Sequence, residues 1–261
     1  MDRANISKIA QTAEDRMLLA KVWDKIYSGM QRNIVAATGF LSLREQELCR
    51  FLFGNTEGLT AFGGYEDAER KMLVYLPEYV DSEFLIGEDS PLACIRATYY
   101  ENDELSHRDF LGALIGAGIT REAVGDICVS KGSCDFFVSK ELAAYIVQNF
   151  QSAGRTKLHL KQVAIAEAAI PEAETIQIRD TVASLRLDSI ISAGFRINRS
   201  LAAQHIAAGK VAIDGLPCEK QDKSVEEGCK ISLRGMGKIQ LKTVNGQTKK
   251  GRISVIIDRF I

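Results

Sequence analysis

The feature that most constrains this 261-residue chain is residues 186–215, with the sequence RLDSIISAGFRINRSLAAQHIAAGKVAIDG. The pattern predicts two short helices joined by a tight turn, followed by a strand and a second turn. We expect Gly194 at the left-handed position that ends the first helix. We expect Asn198 to cap the second helix, which ends at Gly209. Asp214-Gly215 is a hairpin-turn dipeptide. This order of elements predicts a small helix-and-strand module.

Basic and polar side chains gather at the predicted start of the second helix. Arg196, Asn198, Arg199 and Ser200 lie within five positions, and Lys210 follows the helix. A helix start offers free backbone N–H groups and a partial positive charge, which favour a phosphate. The sequence therefore predicts an anion site here.

The same stretch resembles the RNA-binding module named after the small-subunit ribosomal protein S-four. The resemblance rests on Arg186-Leu-Asp188, Arg199-Ser200 with Ala202, Ile206-x-x-Gly209-x-Val211, and Asp214-Gly215. This chain departs from most members at Asn198, where they have Ser, and at Gly228-Cys229, where they have Gly-Asp. The resemblance implies a small α+β RNA-binding module of the αL type over residues 182–261.

We expect the second helix of this module to dock its start on structured RNA. The residues expected to bind RNA are Arg186, Arg196, Asn198, Arg199, Ser200, Gln204, His205, Lys210, Arg234 and Lys238. The arginines and lysines would hold phosphates, and the other side chains would add hydrogen bonds to sugars or base edges. Such contacts give little sequence specificity, so RNA shape should decide the target.

Charge is distributed unevenly along the chain, although the formal net charge is only −1. Residues 182–261 carry 14 lysines and arginines against 7 aspartates and glutamates, whereas the rest carries 19 against 27. A basic end on an acidic body favours a polyanionic partner for the basic end.

The rest of the chain predicts two further parts. Residues 1–71 are expected to be mainly helical, with a capping box at Ser42-Leu-Arg-Glu45. Residues 72–170 predict an α+β domain that resembles the RNA-recognition-motif (RRM) fold. Its strands are expected at Met72–Leu76, Leu92–Tyr99, Ile127–Val129, Cys134–Val138 and His159–Ile165. We expect Tyr99 and Phe137 to pack in its core, with base stacking as the alternative.

A second resemblance covers essentially the whole chain. It rests on Phe62-Gly-Gly-Tyr65 with Ala68-Glu-Arg-Lys71, on Ser184–Asp188, on Arg234-Gly-Met-Gly-Lys238 and on Lys249-Lys-Gly-Arg252. These motifs in this order are similar to those of the YlmH family. The resemblance implies an RNA-binding protein of translation quality control, with ribosomal RNA or tRNA on the large ribosomal subunit as its target, acting in rescue of stalled ribosomes. Members are often encoded near cell-division genes.

We expect no enzymatic activity, but two alternatives stay open. An RNA-modifying enzyme with the module as its anchor would need an unassigned pocket, and perturbed ionisable groups around Gly63–Lys71. The simpler interpretation of that segment is a tight turn with a Glu–Arg pair. Asp188 resembles the nucleophile of pseudouridine synthases, but we interpret it as an orienting or capping carboxylate. The other alternative is a cell-division adaptor whose acidic N-terminal two-thirds binds a partner.

The remaining composition predicts a cytoplasmic protein without a metal or cofactor. None of the six cysteines forms a CxxC pair, and the three histidines make no ligand spacing with them. We therefore expect buried, reduced thiols. The chain begins without a signal-peptide pattern, and no apolar run approaches a membrane span. No small-molecule substrate is indicated.

Overall fold

The computed structural model describes residues 3–172, 174–248 and 251–261. Contacts divide the chain into two compact units, Met1–Pro171 and Glu172–Ile261. The division of the sequence into residues 1–71, 72–170 and 182–261 stays a prediction. Helices and antiparallel sheets occur in both units, which confirms the α+β class. Within the described ranges, no helix is long and apolar enough to cross a membrane.

The first unit begins with helices that pack on a small sheet. They are α1 (Ile6–Ile9), α2 (Ala13–Arg32) and α3 (Leu43–Phe53), and the strands are β1 (Ala36–Leu41), β2 (Leu59–Phe62) and β3 (Lys71–Tyr75). The predicted capping box opens α3, since the Ser42 hydroxyl accepts from Glu45 N–H and the Glu45 carboxylate accepts from Ser42 N–H. The N-terminal region is therefore helical as predicted, with a sheet in addition.

Strand β3 corrects the predicted middle sheet. The expected strand at Met72–Leu76 is observed as β3, and it lies between β1 and β2 rather than in the middle sheet. Val74 of β3 has Ala37 and Thr60 as its neighbours on the two sides, and it is fully buried. Because both edges of β3 are satisfied by these short strands, it cannot also pair with the middle sheet.

The middle of the first unit has the strand order of an RRM-like sheet. Its elements are β4 (Leu92–Thr98), α4 (His107–Gly116), β5 (Val124–Ser130), β6 (Ser133–Ser139), α5 (Lys140–Asn149) and β9 (His159–Val163), with the short hairpin β7 (Ser152–Ala153) and β8 (Thr156–Lys157) before β9. The order across the sheet is β5-β6-β4-β9, all antiparallel. Alternate residues of β4 and β6, such as Ile95 and Phe136, pack under Phe110 and Leu114 of α4. Both helices therefore cover one face of this sheet.

The second unit packs two helices on one face of a six-stranded sheet. The helices are α6 (Leu187–Phe195) and α7 (Arg199–Ala207), and the strands are β10 (Thr175–Val182), β11 (Val211–Ile213), β12 (Leu216–Pro217), β13 (Lys230–Leu233), β14 (Gly237–Gln247) and β15 (Ile253–Phe260). The strand order is β10-β15-β14-β13-β11-β12. Apolar residues of both helices share one core with the sheet, including Ile190, Ile206, Ile239 and Ile257.

Two turns of this unit test the local predictions. The Asp214-Gly215 hairpin is confirmed, because both residues have positive φ, of 47° and 80°, and they join β11 to β12. The predicted end of the first helix at Gly194 is wrong. Gly194 lies inside α6, where a Cβ atom would come within 2.6 Å of the Ile239 side chain, so the glycine permits close packing on β14. Arg196 instead takes the left-handed position, with φ of 55°.

Candidate nucleic-acid interface

A buried carboxylate at the start of α6 holds two of the predicted RNA-binding arginines, Arg186 just before α6 and Arg199 at the start of α7. Asp188, in the first turn of α6, is 5% exposed. Arg199 Nη2 donates to Asp188 Oδ2 at 2.7 Å, and Arg186 Nε donates to Asp188 Oδ1 at 3.3 Å. The two guanidinium groups are themselves about half-exposed. Asp188 therefore fixes one end of each guanidinium and leaves the remainder facing solvent.

The protonation state of Asp188 suits this role. Burial alone would raise its pKa, but the hydrogen bonds from Arg199 and Arg186 outweigh burial and hold the pKa of Asp188 below its ordinary value. The carboxylate is therefore charged at neutral pH. A charged Asp188 accepts both guanidinium groups, which is the orienting role predicted for it.

The remaining predicted residues at the start of α7 are exposed. Asn198 caps the helix as expected, because its Oδ1 accepts from Leu201 N–H at 2.7 Å. Ser200 and Arg196 are exposed beside it. Together with Arg186 and Arg199, these side chains surround the free N–H groups of a nine-residue helix. The start of α7 has the composition of a phosphate-binding surface.

A second group of predicted residues lies at the other end of α7. Lys210 N–H donates to the carbonyl oxygen of His205, and Arg234 N–H donates to the carbonyl oxygen of Lys210. Lys210, Arg234 and Gln204 are exposed, and His205 is partly buried. The rise of about 1.5 Å per helical residue separates the two ends of α7 by roughly 12 Å. The predicted residues therefore form two clusters rather than one.

Lys238 belongs to neither cluster. It lies on β14 next to Ile239, which points into the core beneath the helices. Because successive strand residues point to opposite faces, Lys238 points to the face of the sheet away from α6 and α7. Its ammonium lies 5.9 Å from the centre of the Phe260 ring. The sequence grouped Lys238 with the helix residues, and the structure separates them.

Two further exposed lysines near the start of α6 were not among the residues predicted to bind RNA. Lys220 and Lys223 are exposed in the loop that runs beside the start of α6. The backbone there is fixed, because Leu187 N–H donates to the Lys223 carbonyl and Asp188 N–H to the Gln221 carbonyl. No local pattern signals this contact, since the loop follows α6 by some thirty residues. Of the basic residues in the sequence motif Lys249-Lys-Gly-Arg252, Arg252 donates to Thr181, whereas Lys249 and Lys250 lie outside the described residues.

The RRM-like sheet does not expose the face that such folds use for stacking bases. Phe137, on the face opposite the helices, is fully buried among Phe40, Met72 and Tyr65. Thus the base-stacking alternative for Phe137 is wrong, because the β1-β3-β2 sheet and its following loop cover that face. Tyr99 lies in the core on the helix side, and its hydroxyl donates to the Ser130 carbonyl.

The glycine-rich loop at Gly63–Lys71 holds the β1-β3-β2 sheet against the RRM-like sheet. Asp126 of β5 accepts hydrogen bonds from the Tyr65 hydroxyl and from the N–H groups of Glu69 and Arg70, at 2.7 to 3.0 Å. The Arg70 guanidinium donates to the carbonyl oxygens of Val124, Phe40 and Arg121. The predicted tight turn is present, and backbone carbonyl oxygens accept the hydrogen bonds of the Arg70 guanidinium.

Two ionisable groups of this loop, Arg70 and Tyr65, have perturbed pKa values. Burial lowers the pKa of Arg70 to about 10, and burial together with the Asp126 charge raises the pKa of Tyr65. The polar atoms of both side chains form the hydrogen bonds described above, which hold the loop to the rest of the unit. The perturbed pKa values of Arg70 and Tyr65 therefore follow from their burial in a structural hydrogen-bond network.

A cleft of about 920 Å³ opens in the first unit between α2, β1 and the start of α5. An ion pair between Lys21 Nζ and Glu122 Oε2, at 2.7 Å, joins two of its lining residues. The described lining residues include serines, threonines and carboxylates but no histidine, cysteine or tyrosine. The cleft provides the concave shape that the RNA-modifying alternative needs, without a paired nucleophile and base among these residues.

Comparisons with known proteins agree with the motifs. The family model described as "Putative RNA-binding domain in YlmH" matches residues 92–167, which span the RRM-like sheet. A relative from Bacillus subtilis (strain 168), named "Ribosome-associated protein quality control protein P2", is 32% identical over 240 residues, which are 91% of this chain and 91% of that protein. The chain belongs to the YlmH family.

A solved structure is also similar to this YlmH family member. The "Cell division protein ylmH from Streptococcus pneumoniae" is 23% identical and has a TM-score of 0.49, covering 62% of this chain and 98% of that chain. At that score the likeness decides nothing further. What the family match adds is an RNA-binding domain at residues 92–167, whose sheet face is covered here as described above.

Proposed function

We propose that this YlmH family member is a non-enzymatic RNA-binding protein whose C-terminal unit is an S-four-type module. In this proposal it binds structured ribosomal RNA or tRNA on the large ribosomal subunit, in rescue of stalled ribosomes. The name of the Bacillus subtilis relative, which refers to the ribosome and to quality control, supports the ribosomal setting. The proposal needs no cofactor.

The observation that carries the proposal is the arrangement of Arg186, Asp188 and Arg199 at the start of α7. A guanidinium that a buried carboxylate already orients loses less conformational freedom when it binds a phosphate. The exposed Arg196 and the free N–H groups of the helix add positive potential at the same place. Phosphates of a folded RNA fit this surface, because their spacing rather than their sequence is recognised.

The test is binding to purified large ribosomal subunits that carry tRNA, measured over a salt series. The variant is Arg196→Gln/Arg199→Gln, and the matched control is Lys8→Gln/Arg16→Gln, which removes two exposed basic residues from the first unit. Each lost phosphate contact should reduce the slope of log affinity against log salt by about one. We expect weaker binding and a slope lower by about two for the variant, and native behaviour for the control.

Two further results bear on the proposal. Arg199→Lys keeps the charge beside Asp188 and should keep most of the salt slope, although it loses the planar fork. Native binding by Arg196→Gln/Arg199→Gln would refute the helix-start site. Chemical modification of an RNA nucleotide by the native protein in the same assay would be a different outcome. If that activity were lost on substitution of the residues lining the cleft, the result would favour an RNA-modifying enzyme.

A further inference from the structure

The six-stranded sheet of the second unit has an outer face that no described helix of this unit covers. Strand alternation directs Ile239 and Ile257 inward, so Lys238, Gln240, Asp258 and Phe260 point outward. Phe260 is partly exposed on this face. An aromatic ring at the surface of an open sheet face provides a flat apolar platform.

The charge of this face is strongly positive. The described strand positions that point outward on β10, β13, β14 and β15 include four basic residues, Arg179, Lys230, Lys238 and Lys242, and one acidic residue, Asp258. That acid is neutralised, since Lys242 Nζ lies 2.8 Å from Asp258 Oδ2. A polyanion therefore meets little repulsion here.

The centre of the face offers hydrogen-bonding groups in one row. Gln177, Asp258, Gln240 and Lys230 are directly opposite one another on four adjacent strands, which span about 14 Å. Asp258 is 7% exposed, and no described residue donates a hydrogen bond to its Oδ1. A buried carboxylate oxygen without a donor is costly, and the N–H groups of a nucleobase, such as the N3–H of uracil, are donors that a ligand would supply.

Aromatic and cationic groups are adjacent at the edge of this row. The Lys238 ammonium lies 5.9 Å from the Phe260 ring centre. Because the ammonium lies over the ring, a base that stacks on this face displaces it, and the released lysine can then meet the phosphate. Paired bases in an RNA helix have no free face, so this geometry suits an unpaired strand.

We propose that the outer face of this sheet binds an unpaired RNA segment, with Phe260 stacking a base and Lys230 and Lys238 holding phosphates. This site is distinct from the start of α7, because it lies on the opposite face of the sheet. It rests on the proposed function only in taking RNA as the ligand. In this proposal, the helix side of the unit binds folded RNA, and the outer face of the sheet binds an unpaired strand.

The experiment measures fluorescence anisotropy of the full chain with two probes, a labelled twelve-nucleotide oligouridylate and a stable RNA hairpin. The variants are Phe260→Leu, which keeps an apolar side chain, and Lys230→Gln/Lys238→Gln, which leaves the Lys242–Asp258 pair intact. The control for charge is Lys8→Gln/Lys25→Gln in the first unit, where both lysines are exposed. Thermal unfolding of each variant establishes that it is folded.

We expect Phe260→Leu to weaken oligouridylate binding about tenfold, because stacking on an aromatic side chain contributes strongly to each bound base. The double lysine variant should lower the salt slope for this probe by about 1.4, at roughly 0.7 per contact to a single strand. Hairpin binding should stay within twofold for both variants, and the control should match the native chain.

Native oligouridylate affinity and slope in both sheet variants would overturn this inference. If Arg196→Gln/Arg199→Gln still loses the hairpin and the ribosomal subunit in that case, the proposed function stands without the sheet site. If the arginine variant binds the hairpin like the native chain while the sheet variants lose oligouridylate, the sheet site stands and the helix-start site fails.

Discussion

Arg199 donates to Asp188 at 2.7 Å across the turn that joins α6 to α7, so an exposed cation is tied to a buried carboxylate eleven residues earlier. The contact couples the packing of the two helices to the orientation of a half-exposed arginine side chain. Arg186 donates to the same carboxylate from the other side. Folding of this unit and the RNA binding proposed for it therefore depend on one residue, Asp188.

Asp188→Asn should lower both the stability of this unit and its proposed RNA binding. We expect the free energy of unfolding at pH 7 to fall by about 1–2 kcal/mol, because hydrogen bonds from two half-exposed arginines lose their charged acceptor. The pKa of Asp188 is lowered in the folded state, so its stabilisation is present above the ordinary pKa and is lost as pH falls through the folded value. Urea unfolding at pH 7 and pH 3 measures the gap between native and variant, which should narrow at pH 3.

A suitable control is Asp222→Asn, since Asp222 is exposed in the neighbouring loop. Its unfolding curve should superimpose on that of the native chain within about 0.5 kcal/mol. A gap for Asp188→Asn that is independent of pH would show that the carboxylate charge is not what stabilises the turn.

Asp15 provides a sharper pH signature in the first unit. The Arg44 guanidinium donates to both of its oxygens, at 2.7 and 2.9 Å, and these hydrogen bonds lower the pKa of Asp15 to about 2 against the opposing effect of burial. The unfolded chain titrates near 3.8. Asp15 should therefore contribute about 2 kcal/mol above pH 4, and this contribution should disappear between pH 4 and pH 2.

The measurement is acid unfolding of the native chain and of Asp15→Asn by circular dichroism. The variant should be less stable at pH 7 and should approach the native chain near pH 2. Equal stability of the two proteins at pH 7 would contradict a stabilising role for the Asp15–Arg44 pair.

Gly64→Ala should severely destabilise the first unit. Gly64 has φ of 101°, and an added Cβ would lie 2.2 Å from the ring of the buried Phe137. Strain and overpacking together should cost at least about 3 kcal/mol, measured by urea unfolding. Gly118→Ala serves as the matched control: its φ is 84°, no atom lies within 4 Å of an added Cβ, and its cost should be near 1 kcal/mol. Comparable costs at the two positions would contradict the close contact with Phe137.

Phe137→Leu separates packing from RNA binding in the RRM-like sheet. Because Phe137 is fully buried under the β1-β3-β2 sheet, the smaller side chain should cost about 1–2 kcal/mol of stability. RNA affinity per folded molecule and the salt slope should be unchanged. Loss of RNA binding by a variant that is folded at the assay temperature would mean that the cover opens when RNA binds.

Features fixed by neighbouring residues could be predicted from the sequence. The Asn198 cap, the Ser42–Glu45 box and the Asp214-Gly215 turn each depend on groups three or fewer positions apart, and all are present. The order of helices and strands in the RRM-like part also follows from periodicity within each segment.

Features fixed by distant contacts could not. Met17 and Phe51 are large apolar residues of α2 and α3, yet they are 67% and 54% exposed, because the sheet formed by β1, β2 and β3 packs on other faces of these helices. Strand β1 is short and carries two alanines and a glycine, so its pattern is too weak to distinguish it from a loop. Likewise, Lys238 could not be assigned to a face before the register of β14 was known.

The pairing of β10 with β15 has a consequence for synthesis of the protein. Among the described strands, β10 pairs with β15 alone, from Thr175 opposite Phe260 to Val182 opposite Ile253. Because some seventy residues separate the two strands, β10 has no hydrogen-bonding neighbour until β15 has left the exit tunnel. A nascent chain arrested before β15 therefore presents β10 as an unpaired strand beside the translating ribosome.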